Sequence, residues 1–460
     1  MTEPERSQNA VIDQPLVPQI RRWLAEADAG QLSELIRSRA ISDALRGFLR
    51  LNRDERDQVL SLLPAEIAAE LIDEAPTEVA ADLVERLQSV TAADIIDELE
   101  SDIRADVIGE LDIDDAEAIL AEMDSDDAAD VRRLVAYGAE TAGGLMIAEA
   151  FTFREDETVG AVLQRVVDGA DDFERYRGQH PYILDESGRP VGVVSLRGLL
   201  TAKRNATLAE IMESPLTISV HTSLEELDDF FEMHPFLGAP VVEEDGRLVG
   251  VLSRSAVADA IRDHLESDSL KLHGVVGDEL RSMPLWLRSR RRLAWLSTNI
   301  FLNIIAATVI ASYEETLAAV IAIAFFLPMV SDMSGCSGNQ AVAVSMRELS
   351  LGLVRPIDIF RVWLKEASVG LINGTVLGIL IGLVAWLWMD NVVLGFVIGV
   401  ALAINTVIAV SIGGVVPLIV KRLGQDPAAA SGPLLTTITD IAGFFLVLSL
   451  ATLMMPALLA

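Results

Sequence analysis

From Leu293 to Leu458 the chain is a succession of apolar runs, and no other feature limits its fold as strongly. Leu293 to Tyr313 holds 21 residues without a charge, close to the ~20 residues an α-helix needs to cross a bilayer. Further runs follow at Thr316–Met346, interrupted only by Asp332, at Ala367–Met389, at Asn391–Val420, and from Leu434 to Leu458 through Asp440. In hydrocarbon every backbone N–H and C=O must be satisfied inside the protein, which leaves helices for runs of this length. Five membrane-spanning helices are therefore expected.

Charge divides the chain in the same place. Of 36 Lys and Arg and 69 Asp and Glu, only six and nine lie after Arg292, so the first part carries a net −30 and the last 168 residues −3. An acidic polar half repels phosphate and argues against a nucleic-acid partner, while favouring solvation or cation binding. The single cysteine, Cys336, excludes an internal disulfide framework. The opening MTEPERSQNAVIDQP has no apolar core of a signal peptide, so the N-terminus is expected in the cytoplasm. Basic residues cluster at Arg288–Arg292, at Arg347 to Lys365 and at Lys421–Arg422, in alternate connections between the apolar runs. By the positive-inside rule those connections face the cytoplasm, which places the C-terminus outside and the lipid bilayer around the last part of the chain.

Taken in order, residues 1–30 read as a loosely ordered polar tail, and residues 31–140 as an all-α acidic solenoid. In the latter, Ala-Glu or Ala-Asp recurs at Ala69, Ala81, Ala93, Ala105 and Ala129, with an inverted Glu-Ala at Glu117 in the missing slot. Short helices of this kind cannot bury an apolar face alone and must stack, leaving Asp73, Asp94, Asp97, Asp102 and Asp106 on outer faces. Residues 141–267 change period: Pro181 to Leu200 (PYILDESGRPVGVVSLRGLL) and Ala239 to Ala258 (APVVEEDGRLVGVLSRSAVA) are two copies of strand, glycine turn, strand and helix, each preceded by a helix. This resembles the tandem CBS domain, an α/β regulatory module. Residues 268–291 read as a connecting amphipathic helix that turns basic near the membrane, and residues 292–460 as the transmembrane pore domain.

The costliest residue of the apolar part is Asp440, within SGPLLTTITDIAGF at Ser431–Phe444. A carboxylate at mid-membrane costs on the order of 2.5–3.5 kcal/mol on insertion scales, and such residues commonly mark ion paths. No Lys or Arg lies at comparable depth to pair with it; the nearest is Arg347, at the end of another run. Polar and glycine positions crowd the second and fifth runs, with Asp332, Gly335, Gly338, Asn339 and Gln340 in one and Gly432, Thr436, Thr437, Thr439 and Gly443 in the other. Small residues of this type also serve plain helix packing, so the individual Gly and Thr positions stay open between the two roles.

Several of these stretches together resemble the MgtE family of magnesium channels: Leu63-Pro64-Ala65-Glu66 with the repeats after it, Thr141-Ala-Gly-Gly-Leu-Met146, and Pro417 with Asp426-Pro427-Ala428, Ser431-Gly432-Pro433, Thr436-Thr437, Asp440 and Gly443. The resemblance implies a homodimer selective for Mg²⁺, with a broader carrier of divalent cations such as Co²⁺ and Mn²⁺ as the alternative, and with Asp440, Asn339, Gly335, Gly432 and Thr436 along the pore. It further implies regulatory Mg²⁺ held by Asp259, Asp268 and Asp426 on the cytosolic side. The chain departs from the family pattern at Cys336, where an Asn is usual, and at Ala256, His264 and Ser267, which are usually acidic; fewer carboxylates imply weaker closure by cytosolic Mg²⁺. Two other classes compete. A signalling protein merely anchored by its apolar runs has no use for Asp440, and an enzyme on the CBS scaffold lacks a catalytic cysteine or a histidine cluster.

CBS pairs that bind adenine nucleotides use an aspartate three residues after the strand-end Ser or Thr, and here those positions are Gly198 and Ala256. ATP is therefore expected to bind weakly or not at all. Calorimetry on residues 141–267 checks this, and sub-micromolar affinity overturns it.

Overall fold

The computed structural model describes residues 16–168, 180–275, 279–280, 283 and 285–459. The chain forms two compact units, Met1–His264 with Leu280–Ser282, and Leu265–Glu279 with Met283–Ala460. Their boundary falls inside the helix Arg254–Leu272.

The first unit begins with a helix at Leu16–Ala25, where the sequence reading placed a loose tail. Leu16, Val17, Ile20 and Leu24 lie at helical spacing among polar neighbours, and Ile20 is 1% exposed. Residues 1–15 of that expected tail lie outside the described residues. Nine helices then start at Ala29, Ile41, Arg53, Ala65, Thr77, Ser89, Ser101, Ile113 and Ser125, each twelve residues after the last, so the period extends well before Ala69. Twelve residues hold two to three helical turns and a tight connection. From Ala65 onward each helix packs on the next but one, which pools apolar pairs such as Leu71–Ile72, Leu83–Val84 and Ile95–Ile96 into one core. Asp73, Asp94 and Asp106 are exposed, whereas Asp97 and Asp102 are half-buried.

Arg56 and Arg104, four repeats apart, are 8% and 4% exposed and make the same contacts. Nε of each donates to a carbonyl five residues back (Leu51, 3.1 Å; Leu99, 2.7 Å) and Nη2 to one seven back (Leu49, 2.8 Å; Asp97, 2.6 Å). Each guanidinium thus satisfies the carbonyls left at the end of the preceding helix. Arg104 Nη1 also pairs with Asp127 at 3.1 Å.

The CBS segment has two three-stranded sheets with one topology. β1 (Thr152–Arg154) pairs parallel to β2 (Tyr182–Leu184), which pairs antiparallel to β3 (Pro190–Val193). β4 (Ile218–Ser219), β5 (Gly238–Val242) and β6 (Leu248–Ser253) repeat the pattern. The hairpin turns sit on Gly188 and Gly246, at φ 81° and 84°, a region that glycine enters without strain.

Among the described residues of the second unit, four helices are long and apolar enough to cross a membrane: Leu285–Ala311, Ile359–Met389, Val392–Arg422, and Ser431–Leu453 within the helix Pro427–Leu453. The run expected as one span from Thr316 to Met346 is instead two helices, Glu314–Ala319 and Ile323–Ser350, separated at Val320. The 28-residue Ile323 helix is not among the four, because Ser331, Asp332, Ser334, Ser337, Asn339 and Gln340 lower its hydropathy. Behind it the Val392 helix is buried along most of its length, with Val397, Ile398, Ala401 and Leu402 packed on Phe326, Val330, Val447 and Leu448. Gly374, Gly378 and Gly382 of the Ile359 helix meet Ala403, Gly399 and Gly395 of the Val392 helix. A Cβ on Gly378 would come within 2.4 Å of the Gly399 carbonyl, and one on Gly399 within 2.6 Å of the Gly378 carbonyl, so these two positions admit only glycine.

Replacing Arg104 by Leu leaves the Leu99 and Asp97 carbonyls without their donor, which costs on the order of 2 kcal/mol or more. Hydrogen exchange on the full chain should then speed up across 101–109 and 125–135; unchanged exchange there refutes the capping role.

Candidate cation site

Two helices bring the site together. Asp426 caps the Pro427 helix, accepting the Ala428 N–H at 2.8 Å, and Pro427 takes the first helical position, where its missing N–H leaves nothing unpaired. The helix therefore starts ahead of the apolar run that began the sequence reading at Leu434. Thr436, Asp440 and Phe444 follow at intervals of four and share one face. On the Ile323 helix, Pro328, Ser331, Asp332, Gly335, Cys336 and Asn339 form a matching stripe. The two stripes, with Ile310, Ala324 and Leu327, line a cavity of about 590 Å³. Its lining holds two carboxylates, an amide, two hydroxyls and a thiol, and no Lys or Arg.

Asp440 is half-buried there, and the Ser331 hydroxyl donates to its Oδ1. Gly335 keeps the stripe open: the atom nearest to a Cβ placed on it is Thr439 Oγ1, at 3.9 Å. Gly338 does different work, since a Cβ there would press on Leu435 at 2.9 Å and on the Ala409 carbonyl at 3.0 Å. Of the two glycines, one belongs to the cavity and the other to helix packing.

Behind the cavity wall, Asn405 of the Val392 helix is fully buried and reaches both stripes from the rear. Its Nδ2 donates to Ser334 Oγ at 2.6 Å and to the Thr439 carbonyl at 3.1 Å. Ser334 spends its own proton on the Val330 or Ser331 carbonyl, at 2.8 and 2.9 Å, so both partners of the amide are acceptors and its orientation is fixed. Oδ1 is left buried with no hydrogen-bond partner, a cost of about 1–3 kcal/mol.

Among the residues expected from sequence, Asp440, Asn339, Gly335 and Thr436 meet in this cavity. Gly432 is not part of its lining; a Cβ there would lie 3.5 Å from the Leu272 carbonyl. Leu272 packs against Val342, Met346, Ala428 and Leu435. Of the cytosolic set, Asp268 and Asp426 meet at one ammonium: Lys271 Nζ is 3.0 Å from Asp426 and 4.0 Å from Asp268. Asp259 belongs to the first unit and pairs with Arg262 at 2.7 Å. Sequence reasoning did not assign Asp332, Ser331, Cys336 or Asn405 to the site. For Asp332 and Asn405 the signal was present, a carboxylate and an amide inside apolar runs.

In the first unit, Ala256 lines a cavity with Tyr182, Ser253 and the carboxylate-bearing Asp102.

A bundle of long apolar helices with a cavity that bears two carboxylates and, among the described residues, no basic side chain, carried with a CBS pair, has the make-up of a cation transporter. Residues 327–450 match the family described as a divalent cation transporter, MgtE; residues 40–140 match the MgtE intracellular N domain, and 142–205 and 208–263 the CBS domain. The magnesium transporter MgtE of Thermus thermophilus is 35% identical over 72% of this chain and 73% of its own length. That of Enterococcus faecalis is 31% identical over 71% and 72%. Among solved structures, the cytosolic domain of the Mg²⁺ channel MgtE in complex with ATP is 32% identical, covering 52% of this chain and 98% of that one, with a TM-score of 0.48. The chain belongs to the MgtE family of magnesium transporters.

Proposed function

We propose that this chain conducts Mg²⁺ into the cell, down its electrochemical gradient, along the cavity between the Ile323 and Pro427 helices. The observation that carries the reading is the meeting of Asp440, Asp332, Asn339, Gly335 and Thr436 around one cavity that no basic residue lines. Mg²⁺ releases its waters reluctantly and is typically held by one or two carboxylates with several waters kept. A cavity of about 590 Å³ has room for an ion that stays partly hydrated. Asp440 supplies charge, while Asn339, Thr436 and the open backbone at Gly335 accept hydrogen bonds from the retained waters. Gly432 stands before this cavity on the cytosolic side of the same path.

In this reading the Ile323 helix is a fifth span, its low hydropathy being the mark of a path-lining helix. The basic connections face the cytoplasm, with the acidic repeats and CBS pair inside and the C-terminus outside. Two copies related by a two-fold axis place both Asp440 carboxylates along one path. ATP binds weakly or not at all, although a relative's cytosolic domain was solved with ATP. A second reading is a broader path for Co²⁺ and Mn²⁺ as well, with the thiol of Cys336 on the cavity wall favouring the softer Co²⁺. Growth of a magnesium-transport-deficient bacterium tests the main reading: the wild type should restore growth on low Mg²⁺ and Asp440→Ala should not. Equal rescue by both refutes the path.

Cytosolic Mg²⁺ closes the path by drawing carboxylates together against their own repulsion. Asp259, Asp268 and Asp426 are the groups it uses, and Lys271 already supplies one positive charge to the last two. A divalent ion must therefore compete with an ammonium. Lys271→Gln should lower the half-inhibiting cytosolic Mg²⁺ in patch recordings by about threefold, the size expected for a partly exposed ion pair; an unchanged value overturns the competition.

A further inference from the structure

The buried amide of Asn405 is unusual in that nothing about packing requires it. An apolar side chain of the same size would fill the site without leaving an acceptor unpaired, yet the Val392 helix places here an amide whose Oδ1 has no partner. Its two hydrogen bonds go to the two helices that line the cavity, behind its walls. One ends on Ser334, a single turn from Ser331, the hydroxyl that holds Asp440; the other ends on the carbonyl of Thr439, the residue before Asp440. Thr439 is itself fully buried and cannot shift without moving its neighbour. Gly443 completes the arrangement, because a Cβ there would lie 2.7 Å from Asn405 Nδ2. Main chain and side chain of the Asp440 segment are thus tied to one helix turn, Ser331 to Ser334, with Asn405 joining the two.

We infer that Asn405 is the positioning residue of the cation path: it sets the height of Asp440 against the Ile323 helix, and so the distance at which the carboxylate meets the passing ion. This rests on the proposed Mg²⁺ path and adds to it a residue that touches no ion.

The test is Mg²⁺ uptake by proteoliposomes containing the full chain, read with an internal Mg²⁺-sensitive dye across a range of external Mg²⁺. Asn405→Leu removes both hydrogen bonds and the orphaned oxygen while keeping the volume, so folding is expected to survive. The half-saturating Mg²⁺ should rise by at least about fivefold and the flux per folded protein should fall by about tenfold or more, in keeping with the penalty for displacing a binding group by an ångström. Gly443→Ala, which displaces the amide while keeping the asparagine, should move half-saturation in the same direction. A purely structural role would instead lower the maximal flux in proportion to the folded fraction and leave half-saturation untouched; that result, in either variant, overturns the inference. Absence of Mg²⁺ uptake by the wild type refutes the underlying path, whereas wild-type uptake with unaltered half-saturation in both variants refutes only the role of Asn405.

Discussion

Polar groups inside an apolar helix bundle have few partners to choose from, and the second unit is organised around how its few are matched. Ser331 holds Asp440, while Ser334, Asn405 and the Thr439 carbonyl form a second set directly behind it. Apolar contacts such as Val330 with Val447 or Leu402 with Leu448 tolerate sliding, because dispersion is nearly indifferent to which methyl meets which. Hydrogen bonds do not tolerate it. Three long helices consequently take their relative register from a handful of serine, threonine, asparagine and aspartate side chains.

The same helices separate the work of passing an ion from the work of staying folded. On the Ile323 helix Gly335 opens onto the cavity, while Gly338, one turn further on, lets the Leu435 side chain and the Ala409 backbone approach. At the end nearest the CBS segment in sequence, the last turn of the Arg254–Leu272 helix belongs to the membrane unit: Leu272 is packed among its side chains and Lys271 is bound to the cap of the Pro427 helix. One helix therefore ends in both an apolar contact and an ionic one at the entrance to the helix that bears Asp440.

Much of this was legible in the sequence, and the misses have physical causes. The twelve-residue beat and the paired CBS copies were visible because each element repeats, and a repeat advertises itself without knowledge of contacts. Asp440 stood out because a carboxylate in an apolar run has no inexpensive explanation. The helix Leu16–Ala25 was missed because polar residues and Pro18 hide a four-residue apolar stripe. The break at Val320 was missed because hydropathy is blind to a backbone turn between two apolar helices. Asn405 was passed over since its worth lies in two acceptors, one 71 and one 34 residues away, and no local pattern reports such a distance. Residue pattern alone left Gly335 and Gly338 open for the same reason, and it was the family resemblance that named Gly335.

The glycine seam between the Ile359 and Val392 helices has a mechanical consequence. Where two backbones touch with no side chains between them, at Gly378 with Gly399 and Gly382 with Gly395, neither sliding nor rotation has anywhere to go. That hairpin is a strut, and Asn405 is mounted on it. The Ile323 and Pro427 helices carry an internal proline each, Pro328 and Pro433, that interrupts the hydrogen-bond ladder, whereas the proline of the Val392 helix, Pro417, lies beyond the glycine seam. Any change in the width of the cavity must be a bending of these two about their prolines, with the amide of Asn405 as the fixed pivot against which both are measured.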